Sequence, residues 1–292
     1  MEVKNVFIVG AGLMGSGIAQ VCAQAGMQVN INDISMAAIK KCLENVAWSV
    51  NKLIEKNKLS EDMDTILGRI RHAKDFSKAA EADLAIEAVI EKLDLKQEVF
   101  RKLDSACGLE AVLASNTSAI PITELAVVTG RSERVLGLHF FSPVPMMNAV
   151  EVIKGVDTSE NTMQKGIAFV KKLGKEPIRV ERDLPGFLLN RINLVGYVEA
   201  IQLLELSIGT VEDIDRGVRL AFGRRMGPFE VGDMVGLEVS FEALMAIYEE
   251  SRDKRYYPPQ LLRRKVKAGQ LGRKTGKGWY MYDDKGNRLG PA

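Results

Sequence analysis

Gly10-Ala11-Gly12-Leu13-Met14-Gly15 fits the pattern Gly-x-Gly-x-x-Gly, directly after an apolar run and at the head of a segment with helical periodicity. Glycines at these places permit a tight turn, let the backbone approach a pyrophosphate, and leave helix-terminal amides facing the anion. Asp33 stands at the end of the next apolar run, where a carboxylate accepts both hydroxyls of an adenosine ribose and repels a 2′-phosphate. No arginine follows in Ile34-Ser35-Met36, so the pattern predicts NAD rather than NADP as cofactor.

With only two histidines in the chain, the choice of a group that titrates near neutrality is narrow. His72 sits in Arg71-His72-Ala73-Lys74 and reads as a surface residue. His139 lies in Leu138-His139-Phe140-Phe141, among apolar neighbours, a setting that suits a hydrogen-bonded core histidine as well as a general base. Glu151, inside Ala149-Val150-Glu151-Val152-Ile153, is a carboxylate where a lone charge is costly, and His139 is its natural partner. An imidazole oriented by a carboxylate takes a proton from a hydroxyl and is stabilised as the cation. On its neighbours alone, Glu151 also fits a surface position on an edge strand.

The elements that must position these groups follow from apolar period and turn residues. Strand-like runs fall at residues 4–9, 28–32, 83–89, 112–115, 135–140, 149–153 and 176–180, with helical segments at 12–25, 93–107 and 160–173. This alternation predicts an α/β domain with a doubly wound, mostly parallel Rossmann-type sheet. Residues 35–57 and 60–67 form an insertion too long for a simple crossover and read as a helical arm. Its Lys52, Lys56, Lys58, Arg69 and Arg71 fit a phosphate-binding face or, balanced by Glu55, Glu61 and Asp62, an ordinary solvated one. Asp183-Leu184-Pro185-Gly186 marks a boundary, with Asp183 expected to cap and Pro185 to start a long helix. The expected domains are residues 1–183, binding NAD, and 184–292, an all-α domain for substrate and dimerisation. In the latter, Thr210-Val211-Glu212-Asp213 opens one helix in capping-box style and Met226-Gly227-Pro228-Phe229 precedes another.

The bulk chemistry excludes several classes. With 40 basic and 38 acidic residues, no global field recruits nucleic acid. Cys22, Cys42 and Cys107 show no metal-ligand spacing, which predicts free thiols in a reducing compartment and no metal. Met1-Glu2-Val3-Lys4 lacks a signal-peptide pattern, so a cytoplasmic location is expected. Residues 5–32 carry no charge, but their many glycines break them into strand, loop and helix rather than a membrane span.

Six motifs, in order, carry a resemblance: Gly10 to Gly15, Ser115-Asn116-Thr117-Ser118, His139-Phe140-Phe141-Ser142-Pro143-Val144-Pro145, Pro185-Gly186-Phe187-Leu188-Leu189-Asn190-Arg191, Met226-Gly227-Pro228-Phe229 and Gly276-Lys277-Gly278-Trp279-Tyr280. Across nearly the whole chain they closely resemble the 3-hydroxyacyl-CoA dehydrogenase family, in the compact form of the bacterial 3-hydroxybutyryl-CoA enzymes. The resemblance implies hydride transfer between NAD(H) and an acyl-CoA substrate, with His139 as acid/base, Glu151 orienting it, and Ser118 and Asn190 completing the catalytic set. It places Ser118 and Asn190 at the substrate's reacting oxygen or thioester, and Ser49 and Lys56 of the arm at CoA. Cofactor contacts carried over are Gly10, Ala11, Gly12, Leu13, Met14, Gly15, Asp33, Glu87, Lys92, Ser118, Ser142 and Lys274. Ser142 stands where the family usually has asparagine, and Met146-Met147-Asn148-Ala149 replaces a stretch that commonly holds lysine.

Two other readings stay open on sequence: an NAD-dependent dehydrogenase of a hydroxy acid or sugar acid without CoA, and a non-catalytic protein on the same fold. The apolar segments at 192–206 and 241–247 predict a homodimer through the second domain, as the family resemblance does.

Overall fold

The computed structural model describes residues 3–292, so Met1 and Glu2 of the segment read for a signal peptide lie outside the described residues. The chain divides into two compact units, Met1–Asp183 and Leu184–Ala292.

The first unit is built on an eight-stranded sheet of order β3-β2-β1-β4-β5-β6-β7-β8. Its strands are β1 (Asn5–Val9), β2 (Gln28–Asn32), β3 (Ile70–His72), β4 (Leu84–Glu87), β5 (Val112–Ser115), β6 (Val135–Phe140), β7 (Ala149–Lys154) and β8 (Glu176–Val180). Every pairing is parallel except β6 with β7. β4, β5 and β6 are buried at every position, as expected of strands covered on both faces by helices. Helices α1 (Leu13–Gln24), α2 (Met36–Glu55), α3 (Met63–Gly68), α4 (Leu93–Ala106), α5 (Ile122–Ala126) and α6 (Glu160–Lys172) complete the unit.

The expected arm is present as α2 and α3. Ser35 caps α2 by accepting the Ala38 amide, and Ile39, Cys42, Val46 and Val50 form its buried stripe. At about 1.5–3 kcal/mol for each large apolar side chain, that stripe fixes which face meets the sheet domain. The sequence reading missed β3, which puts His72 in an edge strand opposite Ile31. It also misplaced Asp183. That carboxylate accepts the Thr123 amide at 2.6 Å, and the long helix begins only at Leu189. A side chain already holding the start of α5 leaves the later helix without this cap.

The second unit contains α7 (Leu189–Glu205), α8 (Val211–Phe222), α9 (Pro228–Val235), α10 (Leu237–Ser251) and α11 (Gln260–Lys267). Thr210 caps α8 through the Asp213 amide, as its motif predicts. A hairpin not foreseen, β9 (Tyr280–Tyr282) with β10 (Arg288–Pro291), closes the unit. Trp279 packs beside Phe229, ring centroids 4.9 Å apart, and its indole donates to the Tyr197 hydroxyl at 2.7 Å. Two enclosed carboxylates tie this core to the chain. Asp215 accepts the Phe229 and Glu230 amides and the Tyr280 hydroxyl, and Asp233 accepts the Trp279 and Tyr280 amides and the Tyr282 hydroxyl. Burial raises both carboxyls above the ordinary aspartate value, their hydrogen bonds only partly opposing it.

Candidate active site

The chemistry-bearing residues of the first unit collect at one edge of its sheet, where the parallel strands end. Gly10 follows β1, Asp33 follows β2, Glu87 ends β4, the Ser118 loop follows β5, and His139 is next to last in β6. In a doubly wound sheet this carboxyl edge is where ligands bind.

The glycine loop fits a pyrophosphate by its backbone. Gly10 has φ of +106°, and a Cβ there would stand 2.5 Å from the Ala88 carbonyl oxygen; a Cβ on Gly15 would collide with the Gly10 carbonyl. Gly12 differs: a Cβ on it would meet nothing within 4 Å, so it borders open space rather than the protein's own backbone. Gly12 also starts α1 without a side-chain cap, leaving the helix end to backbone amides. Asp33 braces this loop. Its Oδ2 accepts the Ala11 amide and its Oδ1 the Ser35 amide, each at 2.8 Å.

The imidazole of His139 is held on both sides. The antiparallel register of β6 and β7 sets His139 directly opposite Glu151, and Nδ1 lies 2.6 Å from Glu151 Oε2. Nε2 lies 3.2 Å from Ser118 Oγ. Glu151 is fully buried and His139 is 4% exposed, which settles the open question about Glu151 in favour of an interior carboxylate. Phe141 packs on the imidazole at 4.5 Å between centroids, and Asn116 ties the serine loop to the end of β6 by accepting the Phe140 amide. With Nδ1 facing a carboxylate, Nε2 is the ring nitrogen left toward the Ser118 hydroxyl, an arrangement suited to exchanging a proton with a hydroxyl.

Glu87 is 0% exposed, and its carboxylate serves Lys96, the Val89 amide and the Ser115 hydroxyl. Lys92 is exposed at the start of α4. The carboxylate that does reach the surface is Glu91, which accepts the Thr117 hydroxyl and the Ser118 and Ala119 amides. Burial opposes its ionisation, but the Lys96 charge and the Thr117 bond outweigh this and hold its carboxyl below the usual range. Glu91 and Lys96 escaped the sequence reading, although Lys96 lies on the apolar stripe with Val99, Phe100 and Leu103 of α4, a signal that it is enclosed.

Ser142 is exposed in the loop after β6. On the arm, half-buried Ser49 and exposed Lys56 lie two helical turns apart on one face of α2 and its end. In the second unit Asn190 stands, partly exposed, in the first turn of α7, and Lys274 forms an ion pair with Glu238. No group of three or more histidine, cysteine or acidic side chains placed to hold a metal occurs among the described residues. No helix among them is long and apolar enough to cross a membrane.

Comparison with known proteins agrees along the chain. Residues 5–184 match the family model for the NAD-binding domain of 3-hydroxyacyl-CoA dehydrogenase, and residues 186–282 match the model for its C-terminal domain. A probable 3-hydroxybutyryl-CoA dehydrogenase of Bacillus subtilis is 40% identical over 98% of this chain and 99% of its own length. The crystal structure of (S)-3-hydroxybutyryl-CoA dehydrogenase from Ralstonia eutropha superposes with a TM-score of 0.92 at 43% identity, covering 97% of this chain and all of that one. That of FadB2 from Mycobacterium tuberculosis gives a TM-score of 0.93 at 38% identity over the same shares of both chains. With both domain models matched in order and the histidine, glutamate and serine already assembled at the sheet edge, the chain belongs to the NAD-dependent 3-hydroxyacyl-CoA dehydrogenase family.

Proposed function

We propose that this protein interconverts L-3-hydroxybutyryl-CoA and acetoacetyl-CoA, with His139 as the acid/base. The observation that carries the reading is the imidazole itself, with a buried carboxylate on one nitrogen and a serine hydroxyl on the other, at the sheet edge that bears the glycine loop. In the oxidative direction the C3 hydroxyl lies against Nε2 and Ser118, and its proton passes to Nε2 as the C3–H bond breaks and C3=O forms. NAD+, when bound, supplies the acceptor for the hydride that leaves C3. The imidazolium that results faces Glu151, whose charge offsets it. Ketone reduction runs the same steps backwards, with the imidazolium as acid.

Likeness to the family supports further contacts for Asn190 at the substrate thioester and for Ser49 and Lys56 at CoA. The exposed apolar side chains Leu206, Ile208, Leu220 and Phe222 of the second unit support a homodimer formed through it. Sedimentation at micromolar concentration gives a dimer on this reading; a monomer alone rejects that part of it.

The activity is tested by mixing protein, NADH and acetoacetyl-CoA and following the absorbance of the reduced nicotinamide. Rapid loss is expected. Loss only with a free keto acid would remove CoA from the reading, and NADH binding without turnover of any keto substrate would reject the enzyme altogether.

A further inference from the structure

Lys96 is 1% exposed although it lies in the opening turn of α4, a place from which lysine ordinarily reaches water. Its ammonium lies between two carboxylates, 2.8 Å from Glu87 and 3.1 Å from Glu91. Each of these grips the loop that follows β5. Glu87 accepts the Ser115 hydroxyl at 2.7 Å, and Ser115 Oγ in turn accepts the Thr117 amide at 3.1 Å. Glu91 accepts the Thr117 hydroxyl, the Ser118 amide at 2.9 Å and the Ala119 amide at 3.2 Å. At the end of this chain of bonds Ser118 Oγ stands 3.2 Å from His139 Nε2.

Two carboxylates that share one ammonium repel each other, and without the cation between them they could not both be held against the same segment. The Lys96 charge is what allows both to remain acceptors at once. A displacement of about 1 Å at the loop is enough to take the serine hydroxyl out of bonding range of the imidazole.

We propose that Lys96 is a positioning residue for the reaction: by neutralising Glu87 and Glu91 together it fixes residues 115–119, so that the Ser118 hydroxyl stays within reach of His139. The proposal rests on the dehydrogenase reading above and adds to it the enclosed ion triad beneath the serine loop.

A double-mutant cycle on Lys96→Met and Ser118→Ala tests it, with turnover of acetoacetyl-CoA and NADH as the readout. Lys96→Met is expected to lower kcat roughly 10²-fold, with KM for acetoacetyl-CoA changed by less than about threefold. In the Ser118→Ala background the same change should cost less than about threefold more, because a residue that acts only through Ser118 has nothing left to position. Losses that multiply across the cycle would overturn the proposal, since mere damage to the fold multiplies in this way. Should Lys96→Met fail to fold, Glu91→Ala supplies the same cycle, its side chain being 41% exposed; collapse of its effect in the Ser118→Ala background supports the proposal and multiplying losses overturn it. Wild-type protein without activity on acetoacetyl-CoA would instead bring down the dehydrogenase reading, an outcome visible before any variant is made.

Discussion

In the first unit, the buried Glu151 carboxylate meets His139, and the far side of that imidazole meets the hydroxyl of partly exposed Ser118. In the second unit, buried Asp233 meets two backbone amides and a tyrosine hydroxyl, all belonging to the 279–282 segment. Both arrangements satisfy an enclosed carboxylate, as the cost of burying it demands. They differ in what lies beyond: the first leads through an imidazole to the sheet edge, and the second ends in two amides and a tyrosine hydroxyl. Burial of a charge therefore marks structure in general and a reactive site only where its partner is a group suited to proton exchange near neutrality.

The largest expected effect that sharpens this contrast comes from Glu151→Gln. Losing the charge that orients and offsets the imidazole should lower kcat roughly 10²-fold or more while NADH still binds; steady-state kinetics with a separate NADH titration measures both. Gly12→Ala is expected to weaken NADH binding about tenfold in the same titration while the fold is kept, because the added methyl meets only the space a pyrophosphate would fill. Unchanged NADH affinity in Gly12→Ala would place the cofactor elsewhere.

Asp233→Asn should have the opposite profile. It should destabilise the second unit by about 1–3 kcal/mol, read as a lower denaturation midpoint, because an amide cannot accept all the bonds the carboxylate accepts. Turnover at 25 °C should stay within about twofold of wild type, since no partner of Asp233 titrates near neutrality.

The smallest effect is a pH dependence. Burial raises the Asp215 and Asp233 carboxyls above their ordinary value of 3.8, so the folded unit holds these protons more tightly than the unfolded chain. Their contribution to stability is full below that value and is lost as pH rises through the raised folded-state values. Exposed Glu160, held at about 2 by its hydrogen bonds to Arg179, has the opposite sign, its contribution being lost as pH falls toward that value. With Trp48→Phe, buried Trp279 is the one remaining tryptophan and reports the second unit alone. Denaturation followed by its fluorescence should show the decline above pH 4, and Asp215→Asn with Asp233→Asn should flatten it.

Much of the site was legible because its residues announce themselves by type. Glycines at fixed spacing between a strand and a helix have few other uses, and a histidine and a glutamate in apolar runs are each too polar to be left without a partner. The parallel β1–α1–β2 unit follows from that pattern, whereas the burial of Glu151, left open by its neighbours in sequence, comes from the structure. The part played by Glu91 was not legible. Four residues beyond Glu87 and past the end of β4, its carboxylate meets the Ser118 loop only through the course of the backbone there, and only the fold shows the Lys96 ammonium lying between the two. β3 has three residues, too few for a period to emerge. The closing hairpin escaped for another reason: its position is set by Asp233 and Asp215, carboxylates distant in sequence, rather than by local turn chemistry.

The most direct test of the account is His139→Gln, measured as turnover of acetoacetyl-CoA beside NADH affinity in the same preparation. The account predicts a loss in kcat of roughly 10²- to 10⁴-fold with NADH affinity kept. Turnover near the wild-type rate, with folded protein and bound NADH, would contradict it.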